Sequence, residues 1–169
     1  MTKVINLLGG PGVGKSTCAS GLFYTMKKHE ISCEIASEWI KEKLYEENRY
    51  VFNDQIYVFA KQRKKLIQLL GKVDYVITDS PLVQSIIYGD SSKAFNSLVL
   101  EEFKKFNNVN FVIHRTHEYQ TYGRTQSPQE AQDISDRITK VLHDNNIVYT
   151  DVNSVNSVEE IYNRLNVSI

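Results

Sequence analysis

The 169 residues suffice for one domain with its own core, and 41% hydrophobic beside 24% charged residues are ordinary values for a folded chain in water. Twenty basic side chains against twenty acidic ones leave no net charge, which argues against a surface built to seek polyanions. Two cysteines, Cys18 and Cys33, with no CxxC pair or Cys/His cluster, exclude a disulfide framework and a structural zinc site, and no stretch approaches the roughly 20 apolar residues that span a bilayer. The expectation is a cytoplasmic protein, one domain over residues 1–169, with no membrane partner.

In chain order, residues 3–8 form an apolar run that predicts the first strand. It enters Gly9-Gly10-Pro11-Gly12-Val13-Gly14-Lys15-Ser16-Thr17 directly, and that segment is a phosphate-binding P-loop. Its glycines allow successive backbone N–H groups to turn around phosphates at the start of a helix, where the helix dipole also favours anions. The expected ligand is therefore ATP. Lys15 is expected to reach its β- and γ-phosphates, and Ser16, with Thr17 beside it, to offer a hydroxyl to Mg²⁺.

A helix over 15–29 follows, then a short strand over 33–37 and a helical stretch over 39–45. A long helix is expected from Asn53, as N-cap, to residue 70, where Gly71 supplies the stop. Residues 74–78 give the next strand, 81–88 and 93–106 two helices, and 109–114 strand four. After the irregular stretch 115–128 come a helix over 129–145, strand five over 147–150 and a closing helix over 158–165. Strands spaced by helices predict an α/β fold: a five-stranded parallel sheet with helices on both faces.

In such a sheet ligands gather at the carboxyl ends of the strands, so the residues leaving those ends carry the chemistry. Asp79, after the run Tyr75-Val76-Ile77-Thr78, has the form of a Walker B carboxylate that would hold Mg²⁺ with Ser16, or of a base accepting an acceptor hydroxyl's proton. Glu38, after strand two, is the competing base or substrate ligand. Arg115 and Arg124 flank Gly123 in the stretch 115–128, as a lid does that closes on a transferring phosphoryl group. Gln55 and Gln62 lie seven residues apart on one helix face with Arg63 beside them, where glutamine amides can read the edge of a base. Lys61, Lys64 and Lys65 cluster on the same helix.

GGPGVGKST, Glu38-Trp39, the segment NDQIYVFAKQ, the strand-end TDSP and Tyr122-Gly123-Arg124 together resemble the small P-loop kinases of the nucleoside and nucleotide kinase group. Within it the chain is similar to phage-encoded proteins labelled AAA-family ATPase, akin to the kinase domains of bifunctional nicotinamide riboside kinases. The likeness runs over most of the chain. It implies a doubly wound P-loop NTPase fold with a lid, ATP and Mg²⁺ as co-substrate and metal, and an acid after strand two or at Asp79 near the acceptor hydroxyl. Phage kinases of hydroxymethylated pyrimidines in DNA belong to the same broad group, so DNA stays open as an acceptor, as does a dimer, and the host cytoplasm is the expected location. The second arginine and sensor elements of ring-forming AAA motors have no counterpart here. A nucleotide-binding switch is the alternative from another class.

Overall fold

The computed structural model describes residues 1–46, 51, 53–89, 92–119 and 127–165. β1 (Lys3–Leu8) is buried over its last five residues and lies at the centre of the sheet. Its continuous apolar run is what a strand covered on both faces requires. On one side it pairs with β3 (Tyr75–Thr78), which in turn pairs with β2 (Cys33–Ile35); on the other it pairs with β4 (Asn107–His114), then β5 (Thr150–Asn153). The order is β2-β3-β1-β4-β5, and every pairing is parallel.

Alternation along the strands divides the core into two layers. Ile5, Leu7, Ile77, Phe111, Ile113 and Val152 face α1 (Lys15–Lys28) and α7 (Ser157–Arg164), where Leu22, Met26 and Ile161 are buried against them. Val4, Leu8, Val76 and Val112 face the other way. There they meet Phe59 and Leu66 of α3 (Gln55–Ile67), Val99 and Phe103 of α5 (Lys93–Lys104), and Ile138 and Leu142 of α6 (Pro128–Asp144). Two short elements complete the chain: α2 (Trp39–Tyr45) after β2, and a 3₁₀ turn (Leu82–Gln84) leading into α4 (Ser85–Tyr88) after β3.

Several boundaries move for local reasons. The N-cap of α3 is Asp54, whose carboxylate accepts the Tyr57 N–H at 2.9 Å, rather than Asn53. α6 begins one residue earlier than expected, at Pro128, because Ser127 and Glu130 close a capping box around its first turn. β5 is the largest departure. The expected strand 147–150 meets it only at Thr150, and residues 147–149 are its approach: Ile147 and Tyr149 pack against the core while Val148 is exposed. The hydrogen-bonded edge strand is Thr-Asp-Val-Asn, with Val152 alone buried, because an edge strand needs only alternate residues to face inward.

A polar ladder crosses the sheet beside the apolar layer. Asn6, 1% exposed in β1, donates from Nδ2 to the Oδ1 atoms of Asn108 and Asn110 on β4, both at 2.9 Å. Asn110 donates onward to the Val148 carbonyl at 2.9 Å and Asn108 to the Phe103 carbonyl at 2.6 Å, so the ladder fixes the β1–β4 register and ties both the approach to β5 and the end of α5 to it. Asn6→Leu would leave two carboxamide oxygens without their donor, and we expect it to cost about 1–3 kcal/mol in denaturant unfolding. A loss within experimental error would show that the ladder is incidental to stability.

Candidate active site

The P-loop is held from outside before it meets any ligand. Gly9 (φ +139) fits where a side chain would press a Cβ to 2.8 Å from Val13 Cγ2 and 2.9 Å from the Ile113 carbonyl. At Gly10 a Cβ would lie 2.4 Å from the Ala131 carbonyl and from Ser135 Oγ. This close approach lets the Gly10 N–H donate to Ser135 Oγ at 3.1 Å, while Gln84 Nε2 donates to the Gly9 carbonyl at 3.2 Å. Arg115, at the exit of β4, donates from Nη2 to the Pro11 carbonyl at 3.3 Å, and its guanidinium lies 4.7 Å above the Tyr119 ring. Among the described residues its buried Nε has no hydrogen-bond partner.

At the far end of the loop Gly14 adopts φ +98 and opens α1 without a side-chain cap or an acid in the first turn, which leaves the positive end of the dipole facing out. Lys15 folds back along the loop, its Nζ donating to the Gly9 carbonyl at 2.7 Å and to that of Gly10 at 2.9 Å. Ser16 Oγ donates to Asp79 Oδ2 at 2.6 Å. The other oxygen of Asp79 accepts the Glu38 N–H at 3.1 Å. The P-loop, the end of β3 and the end of β2 therefore meet on one carboxylate.

The Ser16 hydroxyl and the Asp79 carboxylate are hard oxygen donors side by side, and among the described residues no group of three or more His, Cys, Asp or Glu gathers. That donor set fits Mg²⁺, which keeps most of its shell as water and phosphate oxygens.

Glu38 stands over this point. Burial pushes its carboxyl above the usual glutamate range; the Lys15 ammonium pulls it back, the Asp79 carboxylate pushes it further up, and Lys41 opposes. Tyr88, at the end of α4, has its phenol pushed up to about 12, first by desolvation and then by the charge of Glu38, against Arg137. Nearly half of Tyr88 is exposed, and the phenol is neutral throughout the physiological range. Arg137 donates to the Ile87 carbonyl at 2.8 Å and so ties α6 to α4.

Not every expected residue joins the cleft. Gln62 is 4% exposed, and its carboxamide is committed to the protein: Oε1 accepts the Trp39 N–H at 2.9 Å and Nε2 faces the Ala36 carbonyl and Thr78 Oγ1 at 3.5 Å. Arg63 points to α5, where its Nε donates to Glu102 at 2.6 Å; this ion pair, not an acceptor, occupies it. Gln55 is the first residue of α3. Gly123 and Arg124 lie outside the described residues, so of the two arginines expected in a lid only Arg115 is placed. Gln84, Tyr88, Ser135 and Arg137 were not legible as site residues. Gln84 had one weak signal, a polar pair with Ser85 between the apolar pairs Leu82-Val83 and Ile86-Ile87.

These features define a P-loop NTPase fold with its nucleotide-binding loop assembled at the carboxyl ends of a parallel sheet. Residues 4–160 match a family model described as AAA domain, AAA_28, and the chain belongs to that family. No curated protein matches it. Among solved structures, a NadR protein in complex with NR is similar at a TM-score of 0.71 and 15% identity over 99% of this chain and 53% of the other, so the chain spans about half of that protein's length. Thymidylate kinase from Ehrlichia chaffeensis is similar at a TM-score of 0.65 and 14% identity, over 98% of this chain and 100% of the other. At such identities the shared property is the fold. No described helix is long and apolar enough to cross a membrane.

The raised carboxyl of Glu38 has a measurable consequence. Because the folded chain favours its protonated form, the wild type loses stability as pH rises from the ordinary glutamate range through the raised folded-state value. Glu38→Gln has no such group, so its Tm relative to wild type, measured without nucleotide or Mg²⁺, is expected to climb across that window. Parallel Tm profiles would mean that Glu38 is solvated like a surface glutamate.

Proposed function

We propose that the chain is an ATP- and Mg²⁺-dependent kinase that transfers a γ-phosphoryl group to a hydroxyl or phosphate of a nucleoside- or nucleotide-like acceptor. The observation that carries this reading is the pair of carboxylates at adjacent strand ends with different environments. Asp79 has both oxygens engaged, one by Ser16 and one by the Glu38 N–H, whereas Glu38 sits nearby with a raised carboxyl. That difference supports Asp79 as the group that organises the metal side and Glu38 as the one that accepts a proton. Bound Mg²⁺, held by Ser16 and Asp79, would neutralise charge on the phosphates.

For a hydroxyl acceptor the balance is simple. The acceptor oxygen forms a bond to the γ-phosphorus, the bond from that phosphorus to the β–γ bridging oxygen breaks, and the hydroxyl proton passes to Glu38. Lys15 follows the charge of the γ-phosphoryl group, and Arg115, anchored on Pro11, brings a second cation to the loop's shoulder. A phosphate acceptor needs no base. In that case Glu38 only orients it, and Arg124 is proposed as the second lid cation.

The acceptor side carries aromatic surface. Trp39 follows Glu38 directly and packs edge-on against Tyr57 at 5.4 Å, with Lys61 4.9 Å from the Tyr57 ring centroid. Rings with a cation beside them suit a flat, electron-poor or phosphorylated heterocycle. DNA as acceptor has weaker support, since two of the three clustered lysines are engaged within the chain, Lys65 paired with Glu42 at 2.5 Å and Lys61 over the Tyr57 ring.

Phosphate uptake from labelled ATP, screened over nucleosides, nucleotides and hydroxymethylated DNA, tests the reading. Lys15→Met is expected to abolish transfer to whichever acceptor works, and activity within about tenfold of wild type would remove the P-loop from the mechanism. Arg115→Ala is expected to lower kcat more than it weakens ATP binding. Equal losses would mean that Arg115 acts only in the ground state.

Salt separates the acceptors. A small acceptor's KM should change less than about threefold between 50 and 200 mM salt, where a strand held by roughly 6–10 phosphate contacts would lose about 10³-fold or more in affinity.

A further inference from the structure

We infer that Gln62 is a positioning residue: it sets the backbone that carries Glu38 relative to Asp79, rather than reading the acceptor. The inference rests on the kinase reading of the site. Its ground is that one buried carboxamide on α3 meets both the corner after β2 and the end of β3. Oε1 holds the Trp39 N–H at 2.9 Å, and Nε2 faces the last residue before the β2–α2 corner, Ala36, and the last residue of β3, Thr78, both at 3.5 Å. One residue earlier, the Glu38 N–H is held by Asp79 Oδ1 at 3.1 Å. Two successive amides at the start of α2 are thus fixed by two side chains, one on β3's exit and one on α3. Between them they fix the backbone from which Glu38 projects.

The same bonds answer why a glutamine is buried here. The corner residues 36–39 leave the sheet at Ala36, whose N–H is the last to bond across to β3, at the Ile77 carbonyl. Beyond that point the sheet no longer supplies partners, and a buried N–H without one costs about 1–3 kcal/mol. Gln62 supplies a partner for Trp39 and aligns the corner at once. Thr78 Oγ1 also accepts the Ser80 N–H at 3.2 Å, so the same hydroxyl shapes the turn that carries Asp79.

A positioning role and a base-reading role give different kinetics. Gln62→Met keeps the side chain's length and removes its hydrogen bonds; Gln62→Glu keeps an acceptor for the Trp39 N–H. The chain has a single tryptophan, Trp39, whose own N–H is the one Gln62 holds, so its fluorescence reports the corner directly.

We expect folded Gln62→Met to shift Trp39 emission, to keep its affinity for ATP, and to lose kcat on the order of tenfold or more, with Gln62→Glu recovering part of that loss. Unchanged Trp39 emission and kcat with only a lower Tm would reduce Gln62 to a core contact and overturn the inference. A loss confined to the KM of one base-bearing acceptor would overturn it in favour of base reading. If Gln62→Met does not fold, Gln62→Leu, which also lacks the acceptor for the Trp39 N–H, takes its place, and wild-type Trp39 emission and kcat in it overturn the inference. If wild type transfers phosphate to no acceptor, the kinase reading fails by itself, and the emission arm still decides whether Gln62 sets the corner.

Discussion

The site depends on one carboxylate. Strand order places β3 between β2 and β1, so the exit of β3 is the one strand end adjacent both to the corner that bears Glu38 and to the strand that feeds the P-loop. Asp79 occupies that exit and uses both oxygens, one toward Ser16 of α1 and one toward the Glu38 backbone. An uncharged residue of the same shape could keep part of this geometry but would remove the negative charge that a cation between Ser16 and Asp79 requires. The inserted position of β3 is what turns three loops into one site, and it follows from topology before any side chain is chosen.

The charge pattern around Asp79 follows from the same arrangement. Asp79 receives hydrogen bonds on both oxygens, while burial raises the Glu38 carboxyl above its ordinary range and the nearby Asp79 charge adds to that. Lys15 tempers the effect on Glu38. Because Lys15 also bonds the Gly9 and Gly10 carbonyls, a change in where its ammonium points alters the field at Glu38. Nucleotide phosphates that draw Lys15 outward would therefore reach the proposed base electrostatically.

What the sequence made legible was whatever follows from local pattern. The P-loop and the central strands are signalled by glycine spacing and by unbroken apolar runs; the strands form as expected, and Asp79 lies at the exit of β3 beside Ser16. The fifth strand was expected, but three residues too early, because an edge strand with one buried residue has almost no hydrophobic signal, whereas its apolar approach has a strong one. Gln62 and Arg63 were readable as neighbours but not as partners: helix spacing puts a residue on a face, and only the tertiary fold says that one face meets the β2 corner and the other meets Glu102 on α5. Ser135 and Arg137 lie far along the chain from the loop and the helix they touch. No motif links a serine in α6 to Gly10, because the constraint is the close approach of two backbones.

That approach divides the P-loop into two functional halves. Gly9, Gly10 and Pro11 are bonded from outside by Gln84, Ser135 and Arg115, so their positions belong to the scaffold and are set by α6, the turn after β3 and the exit of β4. The second half is different in kind. Gly14 takes a left-handed conformation and starts α1 without a side-chain cap, which directs the helix's N-terminal amides outward, where an anion is the favourable partner. Rigidity in the first half is what gives the second its direction, since a loop anchored only by α1 would lose conformational entropy on each binding event. The side chain that spans both halves is Lys15, rooted at the helix start and bonded to the anchored carbonyls, so any displacement of α6 at Gly10 is felt at its ammonium.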